Sequence, residues 1–331
     1  MKDVAILIPV APFEPLSIIK KSVLSVSHLE KTGVVLNILY IVDCPDGPDE
    51  RTRYLRDKDV GYLERSDTRG RRGGAINDGM ERFQKPDGTL DTDFVALFDV
   101  DSRPDCDFIV KCIEAIENDA NAVMASGPRY ITNQEEGWVA KIIAAEYSFF
   151  EDVYHLYEKF DGFEQFNGLI GVIDARALDD TRLNEDAHCE DLEFTQRMYI
   201  AGKKPVLAET KVGEQGPTSL KELYNQRVRW LSGALEGLEE NMAEFSLAPI
   251  PLNRKVAWFT SITLPFMAFL LAPIVPVYGF RLWSKGHDHV LLKTMGLVFH
   301  VWLISFCGAH ALLNRAMKTR TAWTDTSRSD V

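Results

Sequence analysis

Short apolar runs rich in β-branched residues alternate with helical patterns along the first 130 residues, and this alternation constrains the fold more than any other feature. AILIPV (5–10) precedes a helical pattern from Leu16 to Leu29. VLNILYIVD (35–43) leads into a polar loop, DFVALFDVD (93–101) into a pattern from Phe108 to Asn118, and NAVMASG (121–127) follows. Such alternation predicts an α/β fold with a mixed, mostly parallel sheet flanked by helices. Ligands of such sheets bind beyond the carboxyl ends of the strands. Three of those ends carry acids or turn formers: VDCPDGPDE, DVDSRPD and GPRY. Taken one at a time, each is equally well explained as a solvated turn.

Beyond Ser219 the pattern changes. SLKELYNQRVRWLSGALEGLEENMAEF reads as one long helix opened by a capping box of Ser219 with Glu222, and it ends near Pro249 and Pro251. Ala257–Phe280 then carries no charge, and Thr294–Leu313 none apart from His300 and His310. At 1.5 Å per residue, about 20 residues cross a hydrocarbon core of about 30 Å. Pro265, Pro273 and Pro276 make the first stretch a kinked or re-entrant element. Arg254 and Lys255 before the pair, with Arg315, Lys318, Arg320 and Arg328 after it, outnumber Arg281, Lys285 and Lys293 between. That asymmetry predicts a two-helix hairpin in a cell membrane, with both ends and the large domain in the cytosol. The expected organisation is a cytosolic α/β domain over 1–250, a membrane anchor over 251–318 and a flexible tail over 319–331.

The net charge of −12 argues against a nucleic-acid partner, which needs clustered Lys and Arg. Cys44, Cys106, Cys112, Cys189 and Cys307 show no CxxC pair, so neither a zinc site nor a disulfide framework is indicated, and a reducing cytosol fits. Pro9 and Pro12 interrupt the first apolar run too early for a secretory signal, which makes it a buried strand.

Three elements carry chemistry. Asp99 and Asp101 leave a strand as two carboxylates separated by Val100, a pair suited to Mg2+ or Mn2+ when substrate phosphates complete the shell. Glu190 and Asp191 open a helix that runs to about Ala201, with Gly202 after its end. Acids there are also explained by the free N–H groups and dipole of the helix. Gln226, Arg229 and Trp230 of QRVRW, three and four residues apart, share one helical face. Arg229 can clamp a phosphate and Trp230 can stack on a sugar, although packing and a salt bridge would use the same residues.

In this order, VD at Asp43, DVD at 99–101, ED at 190–191 and QRVRW at 226–230 resemble the family 2 glycosyltransferases of GT-A fold. The branch most resembled contains the cellulose, chitin and hyaluronan synthases, with their D, DxD, ED and QxxRW motifs. IPVAPFEP, RSDTRGRRGGAIN and FNGLIGVIDARAL resemble further segments of that family, and the likeness spans residues 4–235. The resemblance implies that Asp43, or Asp46 in the same turn, contacts the base, and that Arg72, Gly73 and Gly74 border the nucleotide. It implies Asp99 at the nucleoside or diphosphate, Asp101 on a Mg2+ or Mn2+ ion, and Asp191 as general base beside Glu190. Gln226, Arg229 and Trp230 are implied to bind diphosphate and acceptor. The expected reaction is inverting transfer from a nucleotide diphosphate sugar, most simply a UDP-sugar, to a lipid-linked or saccharide acceptor at the membrane. A polyprenyl-phosphate sugar synthase, which generally lacks QxxRW, and a non-catalytic nucleotide-sugar binder are the rival readings.

Overall fold

The computed structural model describes residues 1–159, 169–179, 181–284, 286 and 290–319. They form two compact units, the first drawn from 1–129 and 164–214 and the second from 130–163 and from 215 onward. The expected tail from 320 and the FNG start of the acceptor-side segment lie outside the described residues.

In the first unit the chain runs β1 (Lys2–Val10), α1 (Leu16–Ser27), β2 (Val34–Asp43), α2 (Glu50–Asp57), β3 (Tyr62–Arg65) and α3 (Arg71–Glu81). It continues through β4 (Phe94–Leu97), β5 (Arg103–Pro104), α4 (Phe108–Glu117) and β6 (Ala122–Ser126), and leaves through β7 (Arg129–Ile131). Seven strands form one sheet in the order β3-β2-β1-β4-β8-β6-β9, completed by β8 (Gly171–Asp174) and β9 (Lys204–Leu207). The pairs β2–β3, β1–β2, β1–β4 and β6–β9 are parallel, whereas β8 runs antiparallel to both neighbours. The mixed, mostly parallel sheet expected from the sequence is therefore present.

The central strands β1, β4 and β8 are buried on both faces, which is why β1 reads as a nearly continuous apolar run. Val4, Ile6, Ile8 and Val10 point to the side covered by α1 and α4. Leu7, with Ile41 of β2, points to the side covered by α3 and by α6 (Glu190–Ile200). The period-2 alternation of a strand thus divides one apolar run between two cores. A short ribbon pairs β5 with β10 (Val212–Glu214), and it follows the turn that begins with Asp99.

The second unit is helical: α5 (Trp138–Lys159), α7 (Leu220–Leu247), α8 (Leu252–Thr263), α9 (Val275–Ser284) and α10 (Val290–Ala316). Ser219 caps α7 as expected, its Oγ accepting from the N–H of Glu222 at 3.3 Å. Val228 and Leu231 of α7 pack on Cys307 and Ala311 of α10. Phe149 of α5 packs edge-on against Tyr278 of α9 with 5.2 Å between centroids.

The two apolar stretches of the expected hairpin differ from one another. Among the described residues one helix, Lys293–Ala316, is long and apolar enough to cross a membrane, with a mean hydropathy of 1.7. The preceding apolar stretch is instead broken. Leu252–Leu271 and Val275–Ser284 meet at 88°, and Met267 leaves the helical region at φ −114°. Pro265, Pro273 and Pro276 account for the break, because proline removes a backbone donor and its ring meets the preceding turn.

Candidate active site

The carboxyl ends of β2, β3 and β4 bring the first set of candidate residues together. Asp43 and Arg65 end adjacent parallel strands and stand opposite one another in register. Arg65 Nη1 donates to Asp43 Oδ1 at 2.7 Å and Nε to Asp78 Oδ2 at 2.7 Å, while Nη2 donates to the carbonyl of Arg69. The Arg65 side chain is only 4% exposed and Asp43 is buried beside it. Burial pushes the Asp43 carboxyl up to about 6, although the Arg65 guanidinium pulls the other way.

A folded-state pKa above the unfolded one means that folding takes up a proton between pH 4 and 6, so the contribution of Asp43 to stability falls as pH rises through that window and is flat above it. Urea midpoints of wild type and Asp43→Asn should diverge accordingly. The stability of wild type relative to the Asn variant drops by roughly 1–3 kcal/mol from about pH 4 to about pH 7. A pH-independent difference would contradict the raised carboxyl.

The glycine-rich loop between β3 and α3 wraps the same place. Gly70 caps α3 in the left-handed region at φ +62°. A Cβ at Gly74 would collide with the carbonyl oxygen of Arg69, so only glycine lets the first turn of α3 close over the loop that Arg65 holds. Arg72, in that first turn, reaches to the end of β4. Its Nε donates to Asp99 Oδ1 at 2.6 Å and its Nη1 to Glu190 Oε1 at 3.1 Å. Asp99 is held in a tight turn, its N–H donating to Ser102 Oγ at 3.0 Å and its carbonyl accepting from the N–H of Ser102 at 2.9 Å. Asp101 is buried in the same turn.

Asp191 follows Glu190 in the first turn of α6 and is half-buried, with the Thr195 hydroxyl donating to its carbonyl at 2.7 Å. The segment before α6 is tied to α3 through Asn77. This side chain donates to the Leu183 carbonyl and to Glu185 Oε1, both at 3.0 Å, and accepts from the Leu183 N–H at 3.1 Å. Thus Arg72, Asp99 and Glu190, separated by 27 and 118 positions in the chain, form one charged cluster with Asp191 adjoining it.

No group of three or more His, Cys, Asp or Glu side chains is assembled as a metal cage among the described residues. Two carboxylates at a strand end still fit a hard divalent cation, because such ions take one or two protein carboxylates and fill the shell with phosphate oxygens and water. Asp99 and Asp101 stand two positions apart in the turn that follows β4. Gln226, Arg229 and Trp230 stand on α7 of the second unit, each half-buried.

A model described as glycosyl transferase family group 2 matches residues 94–314. The chain belongs to that family. Two of its relatives are from Oryza sativa subsp. japonica. Probable glucomannan 4-beta-mannosyltransferase 11 is 26% identical over 222 residues, 65% of this chain and 37% of that protein. Probable glucomannan 4-beta-mannosyltransferase 9 is 25% identical over 253 residues, 74% of this chain and 44% of that protein. The chain therefore spans less than half the length of either. Among solved structures, the mannosyltransferase PcManGT from Pyrobaculum calidifontis, in complex with GDP-Man and Mn2+, superposes with a TM-score of 0.64 at 12% identity, covering 96% of this chain and 88% of that one. The likeness establishes a GT-A fold.

This family 2 chain also holds residues that sequence reasoning missed. Arg65 and Asp78 organise the end of β2, and Glu185 ion-pairs with Arg69. The signal for Arg65 was an opposite charge at the ends of two successive strands, Asp43 and Arg65, which become neighbours only if those strands pair in parallel. In the second unit, Arg227 of the QRVRW run forms a buried cluster with Glu146 and His300, which no motif announced.

Proposed function

We propose that this chain is an inverting glycosyltransferase that transfers a hexose from a nucleotide diphosphate sugar to a saccharide or lipid-linked acceptor presented at a membrane. One observation carries the reading: Arg72 joins the strand-end carboxylate Asp99 to Glu190, the neighbour of Asp191, in a chain of glycosyl transferase family group 2. Mannose is the sugar to test first, because the curated relatives are named mannosyltransferases and the structural neighbour was solved with GDP-Man. GDP-mannose thereby takes precedence over the UDP-sugar expected from the resemblance to polymer synthases.

In this mechanism Asp191 removes the proton of the acceptor hydroxyl as its oxygen forms a bond to the anomeric carbon. The bond from that carbon to the diphosphate oxygen breaks, and its electron pair leaves with the nucleotide diphosphate. A single displacement inverts the centre, so an α-linked donor gives a β-linked product. Asp43 accepts from the base, and Arg72 orients Asp99 and Glu190. Asp101 with Asp99 would hold Mg2+ or Mn2+, whose charge offsets that of the departing diphosphate. Arg229 binds diphosphate, and Gln226 and Trp230 bind the acceptor.

The helix Lys293–Ala316 supports membrane attachment, as do the exposed Phe280 and Trp283 of α9 and Phe299, Trp302 and Phe306 of α10. A cytosolic face for the first unit is part of the proposal.

Membranes containing the chain, incubated with radiolabelled GDP-mannose, UDP-glucose and UDP-N-acetylglucosamine, test it. Label should enter lipid, oligosaccharide or polymer from one donor with Mn2+ present, and the Mn2+ dependence should vanish in Asp101→Ala. Incorporation from none of the donors would refute the enzymatic reading.

A further inference from the structure

Glu146 on α5, Arg227 on α7 and His300 on α10 meet inside the second unit, all three buried. Arg227 Nη2 donates to Glu146 Oε2 at 2.6 Å, and His300 Nε2 stands 2.9 Å from Glu146 Oε1. Burial pushes the Glu146 carboxyl up, but Arg227 and His300 together bring it down to about 2, so it is ionised. Such a pair is weak evidence of stabilisation, because taking two charges out of water costs about what their attraction returns. The remaining contacts of Arg227 give the pair another use.

Arg227 sits inside the QRVRW run. Its guanidinium carbon lies 4.1 Å from the centroid of the Trp230 ring, and its Nη1 donates to Gln226 Oε1 at 3.2 Å. A guanidinium has donors only, so the Gln226 atom facing it must be the carbonyl oxygen. The amide NH2, a pure donor, is then the group Gln226 has left to offer. The same cation covers one face of the Trp230 indole. A planar fork can hold a carboxylate, an amide oxygen and a ring at once, which a Lys ammonium on its flexible stem cannot.

We infer that Glu146 and Arg227 are positioning residues for the acceptor: the pair fixes Gln226 as a hydrogen-bond donor and Trp230 in one ring orientation, suiting a saccharide taken by one hydroxyl contact and one stacking contact. This deepens the glycosyltransfer reading of QRVRW and rests on it. Neither residue touches substrate. Glu146 anchors Arg227, His300 holds the far oxygen of Glu146, and Arg227 sets its two neighbours.

Arg227→Lys is the informative variant, since it keeps a cation opposite Glu146 and removes the fork. With the full chain in detergent, GDP-mannose as donor and β-1,4-mannotetraose as acceptor probe, the KM for mannotetraose rises about tenfold or more, whereas the KM for GDP-mannose stays near wild type. Glu146→Gln shifts the acceptor KM in the same direction. A second readout needs no turnover: the Trp230 contribution to fluorescence, taken as the difference from Trp230→Phe, shifts in Arg227→Lys as the cation leaves the ring. A wild-type acceptor KM in Arg227→Lys, or a Glu146→Gln protein that loses stability with its acceptor KM unchanged, overturns the inference. Absence of turnover by the wild type with every donor counts against the glycosyltransfer reading alone. In that case an unchanged Trp230 emission overturns the positioning role, and a shifted one supports it.

Discussion

Replacing Asp191 by Asn should lower transfer by about 100- to 10,000-fold, the range typical of a lost general base, while donor binding persists. The substitution is close to isosteric and keeps an acceptor oxygen, so the Leu192 N–H that donates to Asp191 Oδ1 at 2.8 Å retains its partner. What disappears is the capacity to take a proton from the acceptor hydroxyl. Titration of the variant with nucleotide sugar should give the wild-type Kd, and single-turnover transfer should fall. Unchanged turnover would remove Asp191 from the mechanism. Glu190 serves as a contrast, because its carboxylate already accepts from Arg72, and neutralising it disturbs donor-side geometry before it disturbs proton transfer.

The second large effect is on stability. Arg65→Leu should destabilise the first unit by about 3–5 kcal/mol, the cost typical of removing one partner from a buried ion pair. The guanidinium satisfies Asp43, Asp78 and the Arg69 carbonyl at once, so its loss strands a buried carboxyl, weakens a second and frees the glycine-rich loop. Asp43 limits the penalty near pH 7 by taking up a proton, since it already titrates at about 6. The urea midpoint should therefore fall further at pH 8 than at pH 6. Arg65→Lys should recover part of the loss, because an ammonium keeps the charge without the fork. A midpoint unchanged in Arg65→Leu would show that the Asp43 end of the sheet is held by other contacts.

These two experiments read different layers of the molecule. Asp191 stands at the start of a helix whose acids are visible in the sequence, and the role proposed for it depends on what lies opposite. Arg65 has no motif of its own, and its weight comes entirely from the three groups it meets. Arg72 lies between these cases, as part of a glycine-rich run that resembles a nucleotide loop. Its bonds to Asp99 and Glu190 join the loop, the DVD turn and the ED helix in one charged cluster.

The sequence by itself determined the local elements. Strand and helix periods placed β1, β2, β4, α1, α4 and α7 close to where they stand, and Ser219 with Glu222 marked the start of α7. Prolines marked the break in the apolar stretch. Each of these signals acts over a few residues, through backbone dihedrals, caps and a repeating apolar face, and such physics can be read along a line. The tertiary structure alone decided that β8 enters the sheet antiparallel and that Arg65 faces Asp43 and Asp78. It alone placed Glu146 between Arg227 and His300. Those partners lie up to 154 positions apart, as Glu146 and His300 do, and their meeting is a product of packing and charge neutralisation in a buried space that no local pattern encodes.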